Sequence, residues 1–146
     1  GHDKSTRFEM GPDFAPISGA EGWQISNPPI IQMAALRAAM DIFDEVGMAK
    51  LRAKSVRLTG YLEYLINRIK NNNIAIITPQ NEEERGAQLS LRIDQNGKSV
   101  FDKLISRGVV CDWREPNVIR LAPAPLYNTF MDVYRFAEIL REAVCY

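Results

Sequence analysis

The chain has 146 residues, 46% of them hydrophobic and 25% charged, with 18 basic and 18 acidic side chains and a formal net charge of +0. That is enough apolar material for one domain with a real core, and the balanced charge argues against nucleic acid, which selects a basic excess with clustered Lys and Arg. No apolar run approaches the roughly 20 residues of a membrane span. The two cysteines, Cys111 and Cys145, lie too far apart for metal-ligand spacing and form no disulfide framework, so a reducing, cytoplasmic setting is expected.

Residues 1–28 are punctuated by Gly11, Pro12, Pro16, Gly19, Gly22 and Pro28, and read as an irregular connecting arm that Phe14, Trp23 and Ile25 could anchor. The remainder, residues 29–146, reads as one small domain. A first helix is expected from Pro29, with Ser26 or Asn27 as its cap. It is apolar nearly all round, through Ile30, Met33, Leu36, Met40, Ile42 and Phe43, which predicts burial on more than one side. Gly47 should end it. A second helix is expected over residues 48–71, because Leu51, Leu58, Leu62, Leu65 and Ile69 recur at three- and four-residue steps. Its charges form a solvated face.

Strands are expected over 74–78, 87–93, 109–112 and 118–121. A short helix is expected over 99–107 and a last one over 129–144, which Asn128 could cap. Two strand pairs interleaved with helices predict an α+β fold: a small antiparallel-rich sheet packed on one face by helices.

The one histidine is His2, close to the first residue, so a Ser-His-Asp or Cys-His centre built on it is not expected. There is no glycine-rich phosphate loop and no zinc-ligand spacing. The chain carries no recognisable catalytic set and no metal site. It begins Gly-His without an initiator Met, so it is either trimmed or a piece of a longer protein.

One cation stands out. Arg120 lies in a short apolar strand that is followed at once by Pro123 and Pro125. On spacing alone it either pairs with a nearby acid, Asp112 or Glu115, or presents its planar fork to a carboxylate or phosphate. The prolines would hold the following turn rigid in either case.

The stretch "IRLAPAPLYNTFMDVYRF" resembles the segment late in the small domain of fold-type I pyridoxal-phosphate enzymes, where a strand arginine holds the substrate α-carboxylate. Four further stretches, "GHDKSTRFEM", "GWQISNPPI", "ITPQNEEERGAQL" and "RGVVCDWREPNVIRLAPAPLYN", resemble in order the C-terminal part of kynureninase. The resemblance implies the small C-terminal domain of an enzyme that hydrolyses kynurenine or 3-hydroxykynurenine to alanine and an anthranilate.

It also implies pyridoxal 5'-phosphate as cofactor, a large cofactor-binding domain preceding this chain, and a homodimer. By resemblance Arg120 is the carboxylate clamp, Ser26 lines the substrate ring, and Asn27 contacts the cofactor phosphate or the substrate's aromatic end. The lysine that carries the cofactor lies upstream of the stretch matched by Gly1 and His2, so the chain alone should bind the cofactor weakly or not at all. Two other functions stay open at this point. One is the small domain of another enzyme of the superfamily, such as a cysteine desulfurase or an aminotransferase. The other is a stand-alone module that binds an amino acid through Arg120.

Overall fold

A computed structural model describes residues 1–6 and 8–145. Arg7, in the first of the matched stretches, and Tyr146, at the end of the expected small domain, lie outside the described residues. The chain forms two compact units, Gly1–Glu45 and Val46–Tyr146.

The first unit holds the arm and the first helix. The arm contains one 3-10 turn, Ala20–Trp23, and one isolated bridge between His2 and Pro16. Local bonds tie it together: the Asp3 amide donates to Ala15 O at 2.7 Å, and the Ala15 amide donates to His2 Nδ1 at 3.2 Å. The expected anchors do not bury; Ile25 is 100% exposed, and Phe14 and Trp23 are exposed as well. Helix α1 spans Ile30–Val46, and its first-turn Met33 amide donates to Pro29 O at 2.9 Å. Despite its apolar sequence, no residue of α1 is buried. The burial expected from its composition is therefore absent within this unit.

The second unit is a four-stranded sheet with three helices. Helix α2 is Met48–Arg68, β1 Ile74–Ile76, β2 Leu89–Ile93, α3 Gly97–Ser106, β3 Asp112–Arg114, β4 Val118–Leu121 and α4 Phe130–Val144. All three strand pairings are antiparallel, in the order β1-β2-β4-β3. This is the expected α+β layer.

Strand alternation decides the faces. Leu89, Leu91, Ile93, Ile119 and Leu121 point to one side and are buried. There they meet Leu58, Leu62 and Ile66 of α2, Val100 and Leu104 of α3, and Val133 and Leu140 of α4. The opposite side carries Ser90, Arg92, Arg120, Asp112 and Arg114, and it is polar.

Local chemistry sets the ends of these elements. Helix α2 stops before the expected Asn71, with Lys70 at φ 51. The Asn71 Oδ1 then accepts from the Asn73 amide at 2.9 Å, which turns the chain into β1. Asn73 reaches across to Gln95, donating to its carbonyl at 2.9 Å and accepting from its amide at 2.5 Å.

The third strand begins at Asp112 rather than at the expected Val109. Gly108, at φ +81, closes α3: its amide donates to Ile105 O at 3.0 Å and the Val109 amide to Leu104 O at 3.1 Å. This is the paired bonding of a left-handed helix cap, and it commits Val109 to the helix end. Helix α4 is capped by Thr129, not Asn128. Thr129 Oγ1 accepts from the Asp132 amide while Asp132 accepts from the Thr129 amide. Asn128 instead closes the preceding turn, its Oδ1 accepting from the Ala124 amide at 2.8 Å.

Where α3 begins, a Cβ on Gly97 would lie 3.1 Å from the Trp113 ring and 3.3 Å from Ile93. Glycine lets the helix start this close to β2 and β3 without either neighbour giving way.

Candidate carboxylate-binding site

Strand β4 runs Val118-Ile119-Arg120-Leu121, with Ile119 and Leu121 in the core. A period of two puts Arg120 on the open, polar face. Across the sheet it lies opposite Ser90 on β2 and Asp112 on β3.

Asp112 Oδ2 accepts from Arg120 Nε at 2.8 Å and also, more closely, from Arg120 Nη2. The Nη2 of Arg114, two residues along the same strand face, lies 3.1 Å from that same oxygen. The pair is open to solvent, with side-chain exposures of 35% for Arg120 and 46% for Asp112. The hydrogen bond from Arg120 holds the Asp112 carboxyl below its ordinary pKa, and the neighbouring Arg114 adds to this. Asp112 is therefore ionised through the neutral range.

Of the two partners expected for Arg120 from spacing, Asp112 is the one taken up. Glu115 accepts from Trp113 Nε1 at 2.8 Å instead. Asp112 engages the Nε and Nη2 donors. Among the described residues the Arg120 Nη1 group makes no hydrogen bond, so the outer end of the fork stays available to an anion. A strand expected over 109–112 leaves Arg114 outside it; the strand lies at Asp112–Arg114. With the strand at 112–114, the spacing of two would have put Arg114 beside Asp112.

Beyond Arg92, which pairs with Asp94 at 2.7 Å, this face holds the three-residue cluster of Arg120, Asp112 and Arg114. Three guanidiniums against two carboxylates leave it one positive charge. Cys111, next in sequence, is half-buried, and burial first, then the Asp112 charge, pushes its thiol pKa up. A thiol shifted that way is held protonated and is a poor nucleophile.

Ser26 and Asn27 lie in the first unit, side by side ahead of α1, and both are exposed. Among the described residues neither side chain bonds an amide of α1, so the capping expected of them is not seen. The Ser26 carbonyl accepts from Gln24 Nε2 at 2.6 Å. Arg120 belongs to the second unit.

The kynureninase C-terminal domain family matches residues 51–140, a span that includes the whole sheet and Arg120. The chain belongs to that family. Kynureninase from Myxococcus xanthus (strain DK1622) is 57% identical over 140 residues, covering 96% of this chain and 33% of its own length. Kynureninase from Koribacter versatilis (strain Ellin345) is 56% identical over 138 residues, covering 94% and 32%. This chain therefore spans about a third of the length of these kynureninases.

Among solved structures, a cysteine desulfurase from Escherichia coli superposes with a TM-score of 0.72 at 16% identity, over 90% of this chain and 34% of that one. A C-DES variant with glycine covalently linked to its PLP cofactor gives 0.67 at 16% identity, over 90% and 35%. The fold is that of the small domain of fold-type I pyridoxal-phosphate enzymes.

The residues of this chain do not fit that cofactor by themselves. Of its six lysines, Lys98 pairs with Asp102 at 2.6 Å, Lys54 donates to Pro125 O at 2.6 Å and Lys103 to Ala143 O at 3.3 Å. Lys4 faces Glu21 at 3.7 Å. Lys50 and Lys70 are exposed. None is buried in the enclosed setting that a cofactor-bearing lysine requires.

Proposed function

We propose that this chain is the small C-terminal domain of an enzyme that hydrolyses kynurenine or 3-hydroxykynurenine to alanine and an anthranilate. The observation that carries this is the family match over residues 51–140 together with identities above 55% to two kynureninases. Pyridoxal phosphate supplies the electron sink when bound. Residues outside this chain hold most of it, including the lysine, and Asn27 contributes a contact to it or to the substrate's aromatic end. Ser26 lines the ring of the substrate. Arg120 takes the α-carboxylate at the free end of its fork, fixing the amino acid by two parallel charge-assisted hydrogen bonds.

Residues 1–28 act as the connecting arm, and 29–146 as the small domain. The large domain precedes them, and the whole protein works as a cytoplasmic homodimer. The exposed apolar surface of α1 and of the arm is then covered by the large domain and a partner subunit.

The test is turnover by the full-length protein of kynurenine against cysteine, followed by the fluorescence of the released anthranilate and by sulfide release. Kynurenine turnover supports the proposal; cysteine turnover alone would replace it with a desulfurase. Arg120→Ala is expected to raise KM strongly and lower kcat, with a fall in kcat/KM of about 100-fold, since a hydrogen bond to a charged group contributes about 1.5–3 kcal/mol. Unchanged kinetics would remove Arg120 from the site.

A further inference from the structure

An arginine already paired with an aspartate is a poor anion receptor, because the pair is neutral. The open face of the sheet resolves this with a third residue. Asp112 Oδ2 receives Nε and Nη2 of Arg120 and lies 3.1 Å from Nη2 of Arg114. One carboxylate is shared by two guanidiniums, and the cluster keeps a positive charge.

The bonds also fix geometry. A guanidinium has two usable edges, and Asp112 occupies the one formed by Nε and Nη2. The plane of the fork is thereby set against β3, and the Nη1 end points away from the acid. Holding a long side chain in one conformation before a ligand arrives removes an ordering cost from binding.

We propose that Asp112 and Arg114 are positioning residues for the Arg120 clamp. Asp112 locks the fork, and Arg114 neutralises Asp112 so that the lock does not cancel the charge of the clamp. The inference rests on the proposed role of Arg120 as the carboxylate receptor.

The placement follows from the sheet. Register sets Asp112 opposite Arg120, and the strand period of two sets Arg114 on the same face as Asp112. Neither residue contributes to the core. Side-chain exposures of 46% and 58% show that both can be changed without opening a cavity.

The experiment uses two readouts. In the full-length protein, steady-state kinetics with kynurenine are measured for Asp112→Ala, Asp112→Asn, Arg114→Gln, Arg120→Ala and the double variant Asp112→Ala/Arg120→Ala. Asp112→Ala should lower kcat/KM by about 10-fold, chiefly through KM, as expected for lost substrate positioning. Asp112→Asn keeps an oxygen that accepts from Nε and Nη2, and should recover to within about threefold of the parent. Arg114→Gln leaves a neutral pair and should raise KM by about three- to tenfold, an effect that weakens with added salt. In the double variant the Asp112 change should add nothing, because its only route is through Arg120.

In the 146-residue chain, the second readout is the arginine Nε–H resonance of Arg120 by NMR. It should be slow to exchange in the parent, retained in Asp112→Asn and lost in Asp112→Ala. If Arg120→Ala leaves kinetics intact, the clamp reading falls. If Arg120→Ala is impaired while Asp112→Ala is not, or if Asp112→Ala still costs activity in the Arg120→Ala background, the clamp stands and the positioning role is overturned. A fast-exchanging Arg120 Nε–H in the parent would overturn the lock directly.

Discussion

Helices α1 and α2 follow one another in the chain and use their apolar residues in opposite ways. Helix α2 has an apolar stripe and a charged back; six of its residues are buried, and Leu58, Leu62 and Ile66 join the core with the sheet and α4. Helix α1 also has a charged side, with Arg37, Asp41, Asp44 and Glu45 at steps of three and four, but its wide apolar face buries nothing. A wide apolar face without burial is the pattern of a helix whose contacts lie with something else. Pattern reports how much apolar surface a helix has and on which side; only the fold reports where that surface is satisfied.

The largest effect should come from testing this contrast by truncation. Leu91, fully buried at the centre of β2, should cost about 2–5 kcal/mol as Leu91→Ala, read as a lower urea midpoint. Ile31 of α1 is 83% exposed, and Ile31→Ala should stay within about 0.5 kcal/mol. Equal costs would break the contrast.

Self-association is the next measure. Sedimentation velocity on the 146-residue chain should show a concentration-dependent increase in mass. The double change Ile31→Glu/Leu36→Glu should weaken that association by about 10-fold or more, since it places charge on the exposed apolar surface. A strictly monomeric parent would leave α1 without an apolar partner to seek.

Smaller effects concern how the elements of the second unit are terminated. The capping box of α4 should be worth about 1 kcal/mol by Thr129→Ala, measured by thermal unfolding.

The acid limb gives the finest test. Asp132 is held below its ordinary pKa by its bonds from Thr129, and Asp112 by its bond from Arg120. A carboxyl with a lowered folded-state pKa contributes stability that is present above its unfolded value and is lost as pH falls through the folded one. Stability of the chain should therefore not fall on this account between pH 5 and 8, and should decline below about pH 4. The decline should be shallower in Thr129→Ala. An identical acid limb in that variant would count against the Thr129 bonds as the cause.

Much of the second unit could be read directly from sequence. The period of α2 and α4 and the alternation from Leu89 to Ile93 state which side faces the core. Strand β4 begins and ends where Val118 and Leu121 suggest. The third strand was misplaced because Val109 and Val110 have β-branched side chains. The amide of Val109 is taken by the helix-closing turn at Gly108, and Val110 is left exposed. Backbone bonds to a preceding helix carry no signature in the residue they use.

The same displacement hid half of the candidate site. Asp112 was foreseen as a partner of Arg120, but Arg114 enters only once the strand is set three residues later. The arm was harder still. Phe14, Trp23 and Ile25 look like anchors, yet sequence cannot say whether an aromatic side chain finds its partner in its own unit.

Gly97 has no side chain, charge or contact with an anion. It nevertheless stands beside the ring of Trp113, and Trp113 is flanked by Asp112 and Arg114. A methyl group there would press on the outer edge of the indole and on Ile93, each of which would have to give by a few tenths of an ångström. A map of tolerated substitutions drawn across this domain would thus read, at Gly97, how far the indole between two site residues can yield.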